Sequence, residues 1–328
     1  KRRDTLPSKP QRDLHPLQKT RAAMAGYLSA SAYGKIKIRV MKLNRHPDGT
    51  HEPREMTVNT LLWGDFAESW TTGSNAKIVA TETQKNTVYQ LAKTHTLSSP
   101  EEFGMYIAEH FLKTYDHITK VKVTIHEDPW GRIHMDGKPH KHAFTKTTSE
   151  RRTAEIVQSR GSAPSVKGGI TNLIVLKTTQ SSFEKFIGHP GSYMPKDPSG
   201  WTTLGETKDR SFSTAVESTW VYATPNAPFN DCYAKVKNAF IEKFAGPPET
   251  GVPSPSAQQT GYQMTLAALE ACAPHILDIS IATPNLHYMP LHSHSVPSHM
   301  HAPNADVFFP IDGPSGYITS TASRRSKL

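Results

Sequence analysis

The chain has 328 residues, 38 Lys or Arg against 29 Asp or Glu, a formal net charge of +9 and 36% hydrophobic residues. This length fits two domains of about 150 residues better than one, and apolar runs such as Leu173–Leu176 fall far short of the roughly 20 residues that a bilayer span needs. Two cysteines, Cys232 and Cys272, exclude a disulfide scaffold and a cysteine-rich zinc module, so we expect a soluble intracellular protein with no secretory leader.

Residues 1–23 hold seven Lys or Arg and two Asp, which places five of the nine net charges in one polar, proline-containing segment. Too little apolar surface is present there to offset chain entropy. Residues 1–30 are expected to be a basic disordered extension, with Met24 as the natural start. The remaining sequence has no basic stripe interleaved with aromatics, which argues against a nucleic-acid partner.

Lys35–Leu43 alternates Ile36, Ile38 and Val40 with Lys37 and Arg39, the period of a half-buried strand. His46-Pro47-Asp48-Gly49 supplies a turn, and Glu55–Trp63 reads as the returning strand. Ser99, with Glu102 three residues on, is a helix start, and Phe103, Ile107, Phe111 and Tyr115 give the helix one apolar face. Val121, Val123 and Ile125 alternate as a strand, and Arg132–Met135 is a candidate for the next. Gly, Ser and Pro then cluster near Ser159–Gly168, where we place a junction.

The second half repeats this order, with strands at Asn172–Thr178 and Phe212–Tyr222 and helical spacing in Val236, Phe240 and Phe244 and again from Gln258 to Ala271. Further strands are expected at Leu277–Ala282, Asp306–Phe309 and Tyr317–Thr319. The fold class is therefore α+β, strand-strand-helix-helix-strand-strand twice, in units 31–160 and 161–322 followed by a tail, 323–328. Antiparallel strands covered on one face by helices form such a layer. Tandem layers leave exposed sheet edges, which closure into a barrel on oligomerisation would remove.

Histidine is abundant, 17 in all, with His287, His292, His294, His299 and His301 in one run. His-x-His spacing suggests zinc or copper, but no carboxylate or cysteine intervenes, and Pro290, Pro297 and Pro303 break any regular face. The run is expected to be an exposed loop. His140-Lys141-His142 is expected to be a structured turn. The fingerprints of dinucleotide binding, of the P-loop, of the α/β-hydrolases and of the zinc proteases are missing.

Several segments, taken together, resemble the urate oxidase (uricase) family. They are Tyr33-Gly34-Lys35, Ile78-Val79-Ala80-Thr81-Glu82 with Lys85-Asn86-Thr87, and Asp136-Gly137-Lys138-Pro139-His140. Leu176-Lys177-Thr178-Thr179 running to Phe183, then Thr202-Thr203-Leu204, Asp209-Arg210 and Ser213-Thr214 follow in order. Ser256-Ala257-Gln258 and Pro284-Asn285-Leu286-His287-Tyr288 complete the set. The resemblance implies a tandem T-fold and a homotetramer enclosing a tunnel, with active sites where two subunits meet. It also implies oxidation of urate by O2 and water to 5-hydroxyisourate and hydrogen peroxide, with no metal and no organic cofactor. Ser326-Lys327-Leu328 is a peroxisomal address, so a peroxisomal location and an import-receptor partner are expected.

By the same resemblance, Phe183 stacks on the purine, Arg210 presents a two-pronged donor to one edge, and Gln258 and the Ala257 N–H serve the other. Lys35 and Thr81, contributed by different subunits, form a proton relay that His287 extends through Lys35. Thr81 and Asn285 hold O2 and then the attacking water, and Glu82 contacts the substrate. The chain departs from the family pattern with Glu82 in place of aspartate, Ala257 in place of valine and a longer Ile187–Gly200 segment. A T-fold protein that binds purines without turning them over is the alternative.

Overall fold

A computed structural model describes residues 26–146, 148–188, 197–290, 306–311 and 313–324. Residues 1–25 of the basic extension, the 189–196 segment, His292, His294, His299, His301 and Ser326-Lys327-Leu328 lie outside them.

The first hairpin pairs β1 (Tyr33–Arg45) with β2 (His51–Gly64). Ile38 and Val40 are buried as the alternation predicts, but Ile36 is 67% exposed. The register shifts between Lys35 and Ile38, and Lys37 has φ 58°. This β-bulge inserts a residue and reverses the facing of what precedes it.

A short α1 (Glu68–Thr71) leads to α2 (Thr81–Thr94) and α3 (Pro100–Thr114). Ser99 caps α3 by accepting from the Glu102 N–H at 3.2 Å, and Phe103, Ile107 and Phe111 are fully buried. β3 (Ile118–Asp128) follows. The next strand of the sheet is not Arg132–Met135. That segment falls in β4 (Gly131–Met135), which pairs with β5 (Lys138–Thr145) as a separate two-stranded sheet. His140-Lys141-His142 therefore lies in a strand rather than a turn.

The strand beside β3 is β6 (Arg151–Ser159), and a hairpin over 160–164 joins it to β7 (Ser165–Phe183). Gly168, expected in a junction, lies inside β7. The sheet thus runs without a break from the first half into the second. β8 (Thr207–Tyr222), α4 (Phe229–Ala245), α5 (Ala257–Ala271), β9 (Ile276–Ala282), β10 (Asn285–Pro290), β11 (Phe308–Ile311) and β12 (Thr319–Ser323) complete the chain.

Among the described residues, ten strands form one antiparallel sheet in the order β1-β2-β3-β6-β7-β8, after which β8 divides. Residues Glu217–Tyr222 pair with β9, which pairs β12, while Ser213 and Thr214 pair with β10, which pairs β11. One apolar core, including Val58, Ile125, Ile156, Val216 and Trp220, lies between the sheet and the helices. In a single chain the α+β sheet is open at its edges.

A buried polar group ties the halves together. Arg152 of β6 donates to Glu101 of α3 at 2.7 Å and to Asn230 of α4 at 2.6 Å, and Tyr222 of β8 donates to Glu101 at 3.1 Å. Burial raises the Glu101 carboxyl above the usual carboxylate range, against the pull of Arg152.

Candidate active site

The first cluster forms where β1 meets the start of α2. Gly34 is obligatory there: a Cβ would lie 1.8 Å from the Thr60 carbonyl oxygen. That close approach seats Lys35 opposite Thr60 on β2. The Tyr33 hydroxyl accepts from the Val79 N–H at 2.7 Å, fixing the segment that enters α2. Ala80, at the N-cap, gives no side-chain cap, so the helix supplies no acceptor for the N–H groups of Thr81 and Glu82. Glu82 is paired with Lys85, and that hydrogen bond, aided by the Lys85 and Lys35 charges, holds its carboxyl below the usual range against desolvation. One chain thus brings Lys35 and the Thr81–Glu82 turn together. The resemblance takes the two from different subunits; in the single chain the Lys35 charge lies near Glu82.

The second cluster forms at the opposite region of the sheet. Asp209 accepts from Thr179 Oγ1 at 2.8 Å and from the Gln180 N–H at 2.7 Å, locking a bulge in β7 at which Gln180 has φ 62°. This sets Ser181 opposite Arg210 and Phe183 opposite Thr207. The Arg210 guanidinium carbon lies 5.5 Å from the Phe183 ring centroid, and Phe186 stacks on that ring at 4.8 Å. Burial lowers the Arg210 pKa, because a charge half removed from water is less favoured.

Two further segments converge here. Ser182 N–H donates to Ser254 O at 2.9 Å and Ser254 N–H to Gln180 O at 2.7 Å, which carries the start of α5 to the end of β7. Ser256 caps α5 by accepting from Gln259 N–H at 3.1 Å, so the N–H groups of Ala257 and Gln258 have no helical acceptor and suit an anion. Thr214 Oγ1 donates to Pro284 O at 2.8 Å, seating β10 beside β8. Arg210, Asn285 and His287 thereby line one cleft of about 510 Å³, together with Thr178, Leu204 and Phe308. Asn285 Oδ1 is buried and, among the described residues, meets no hydrogen-bond donor.

The two clusters do not meet within a chain. Lys35 on β1 and Arg210 on β8 are five strand spacings apart, about 24 Å along the sheet at ~4.8 Å per step.

The uricase family model matches residues 31–157 and 166–319. The chain belongs to the uricase family. It is 37% identical over 297 residues to the uricase of Danio rerio, covering 90% of this chain and 95% of that one. Over 308 residues it is 37% identical to Uricase-2 of Phaseolus vulgaris, covering 91% and 96%. The solved structure of uricase from Arthrobacter globiformis superposes with a TM-score of 0.79 at 34% identity, over 92% of this chain and 96% of that one. A chain related to these uricases over nine-tenths of its length is an enzyme.

The residues that the resemblance names lie at two places in the chain. Lys35, Thr81 and Glu82 stand in the first, and Phe183, Arg210, Ala257, Gln258, Asn285 and His287 in the second. Thr81, Glu82 and Gln258 are exposed in the single chain, and Ala257 is buried. Tyr33 and Asp209, which stand in the family-like segments with no role assigned, each adjoin a site residue. Thr60 and Gln84, both buried polar side chains, were not anticipated; Thr60 bonds the Lys35 N–H and Gln84 bonds Thr60. Thr60 was legible as the one polar residue in the inward set Val58, Thr60, Leu62.

Proposed function

We propose that the chain oxidises urate with O2 and water to 5-hydroxyisourate and hydrogen peroxide, in a homotetramer whose sites each join one subunit's first cluster to a neighbour's second. What carries the proposal is the convergence of Arg210, Asn285 and His287 on one cleft beside Phe183, in a chain of the uricase family. Urate is a flat anion. Phe183 stacks on its rings, Arg210 offers parallel N–H donors to one edge, and Gln258 with the Ala257 N–H meets the other. Asn285 gives its unpaired oxygen to the water that attacks the ring.

The first cluster supplies proton transfer. Deprotonating bound urate raises its electron density enough for it to reduce O2 without a metal or organic cofactor. Lys35 takes the proton and passes it along Thr81 and His287, a relay that needs the neighbour's cleft to close over Lys35. The glutamate at position 82 engages through its backbone N–H, so its extra methylene leaves the contact intact.

The test uses the full chain, treated with chelator and mixed with urate in air-saturated buffer. Loss of the urate absorbance, with one hydrogen peroxide per urate, is expected. Urate that binds and is not consumed would establish the alternative, a purine-binding protein without turnover.

A further inference from the structure

Thr60 and Gln84 form a buried polar bridge in an otherwise apolar layer. Thr60 is 1% exposed and Gln84 0%, and the flanking Val58, Leu62 and Val88 are fully buried. The Thr60 hydroxyl accepts from the Lys35 N–H at 3.3 Å and donates to Gln84 Oε1 at 2.8 Å, with the Lys35 carbonyl a longer acceptor at 3.5 Å. The Gln84 amide turns its Nε2 to the Val79 carbonyl at 3.2 Å. The opposite amide orientation would set carbonyl against carbonyl. On its other side the Val79 peptide gives its N–H to Tyr33 at 2.7 Å. A continuous path of hydrogen bonds therefore runs from the Lys35 backbone to the peptide two residues before Thr81.

The fold does not require this bridge. Buried polar pairs are costly to desolvate, and an apolar pair of similar shape is close to neutral or better for stability. What a satisfied polar bridge adds is a fixed geometry. That geometry is needed at this point because the sheet ladder is interrupted immediately after Lys35 by the bulge running to Ile38. Within the bulge, Lys37 N–H bonds the Asn59 side chain at 2.7 Å rather than a ladder carbonyl.

We propose that Thr60 and Gln84 are positioning residues for the proton relay, holding Lys35 and the Thr81 end of α2 in fixed register. This rests on the assignment of Lys35 and Thr81 to that relay. Displacing a reacting group by about 1 Å costs on the order of 100-fold in rate. The variants Thr60→Val and Gln84→Met keep side-chain volume and delete the bridge.

With urate as substrate, each should lower kcat by about 10- to 100-fold, with KM and the affinity for a competitive purine within about twofold. Thr60→Ser, which keeps the hydroxyl, should restore kcat to within a few-fold of the parent. The double variant should be no slower than the slower single, since both break one bridge. Wild-type kcat in folded Thr60→Val or Gln84→Met would overturn the proposal, as would equal loss in Thr60→Ser and Thr60→Val. If either apolar variant fails to fold, the serine comparison and the other variant decide. A Lys35→Met enzyme with undiminished turnover would instead remove the relay itself, which separates the two failures.

Discussion

The guanidinium of Arg210 lies 5.5 Å from the centroid of the Phe183 ring, so the residue proposed to fork onto one purine edge borders the ring proposed to lie on its face. The Asp209-locked bulge creates that relationship by setting the ends of β7 and β8 in register. Arg210→Ala should raise KM for urate at least 10-fold and change kcat less, because a charge-assisted pair is worth about 1.5–3 kcal/mol and is made in ground and transition states alike. Arg210→Lys should not restore KM, since an ammonium lacks the planar fork. Steady-state kinetics on both variants checks this.

Lys35 belongs to the other cluster, and its loss should act on chemistry rather than on binding. Lys35→Met should lower kcat by roughly 100- to 10,000-fold, the usual weight of a proton-transfer group. Calorimetric affinity for a purine inhibitor should stay within a few-fold of the parent.

Stability should be most sensitive far from either cluster, at the Arg152–Glu101 pair. Arg152→Ala leaves a buried carboxylate without its partner and should cost about 3–5 kcal/mol, read from denaturant unfolding. The Glu101 pKa is already raised by burial, and losing Arg152 raises it further. The folded variant then holds that proton more tightly than the unfolded chain, so its stability is greatest below the ordinary carboxylate range and falls as pH rises through the folded value. The deficit against the parent should shrink in acid. A constant deficit from acid to neutral pH would mean that Glu101 is not left unpaired.

How much of this was legible in the sequence depended on how far local pattern and tertiary demand agreed. The Ser99 cap and the 103-107-111 face were readable because the helix buries what its own spacing presents. β6 escaped because its inward set is Arg152, Ala154 and Ile156, and a buried arginine disguises the alternation. β7 read as seven residues rather than nineteen. Its flanks, with Gly168-Gly169 at one end and Thr179–Ser182 at the other, are rich in polar or small residues and are held extended by β8. The candidate site residues were named through the uricase resemblance. Their division into two clusters was not, because it depends on how many strands separate β1 from β8. Residues 189–196 and His292–His301 lie outside the described residues and add nothing to either side.

The most direct measurement of the shared site is complementation between crippled subunits. Lys35→Met leaves the second cluster whole, and Arg210→Ala leaves the first. Equal amounts of the two chains, unfolded and reassembled together and assayed at urate well below KM, should regain about a quarter of the wild-type kcat/KM, since intact first and second clusters then meet at random across the interfaces. Each variant reassembled alone should stay near its own low rate. Mixed assemblies isolated with both chains present and no gain in urate turnover would contradict a site built from two subunits.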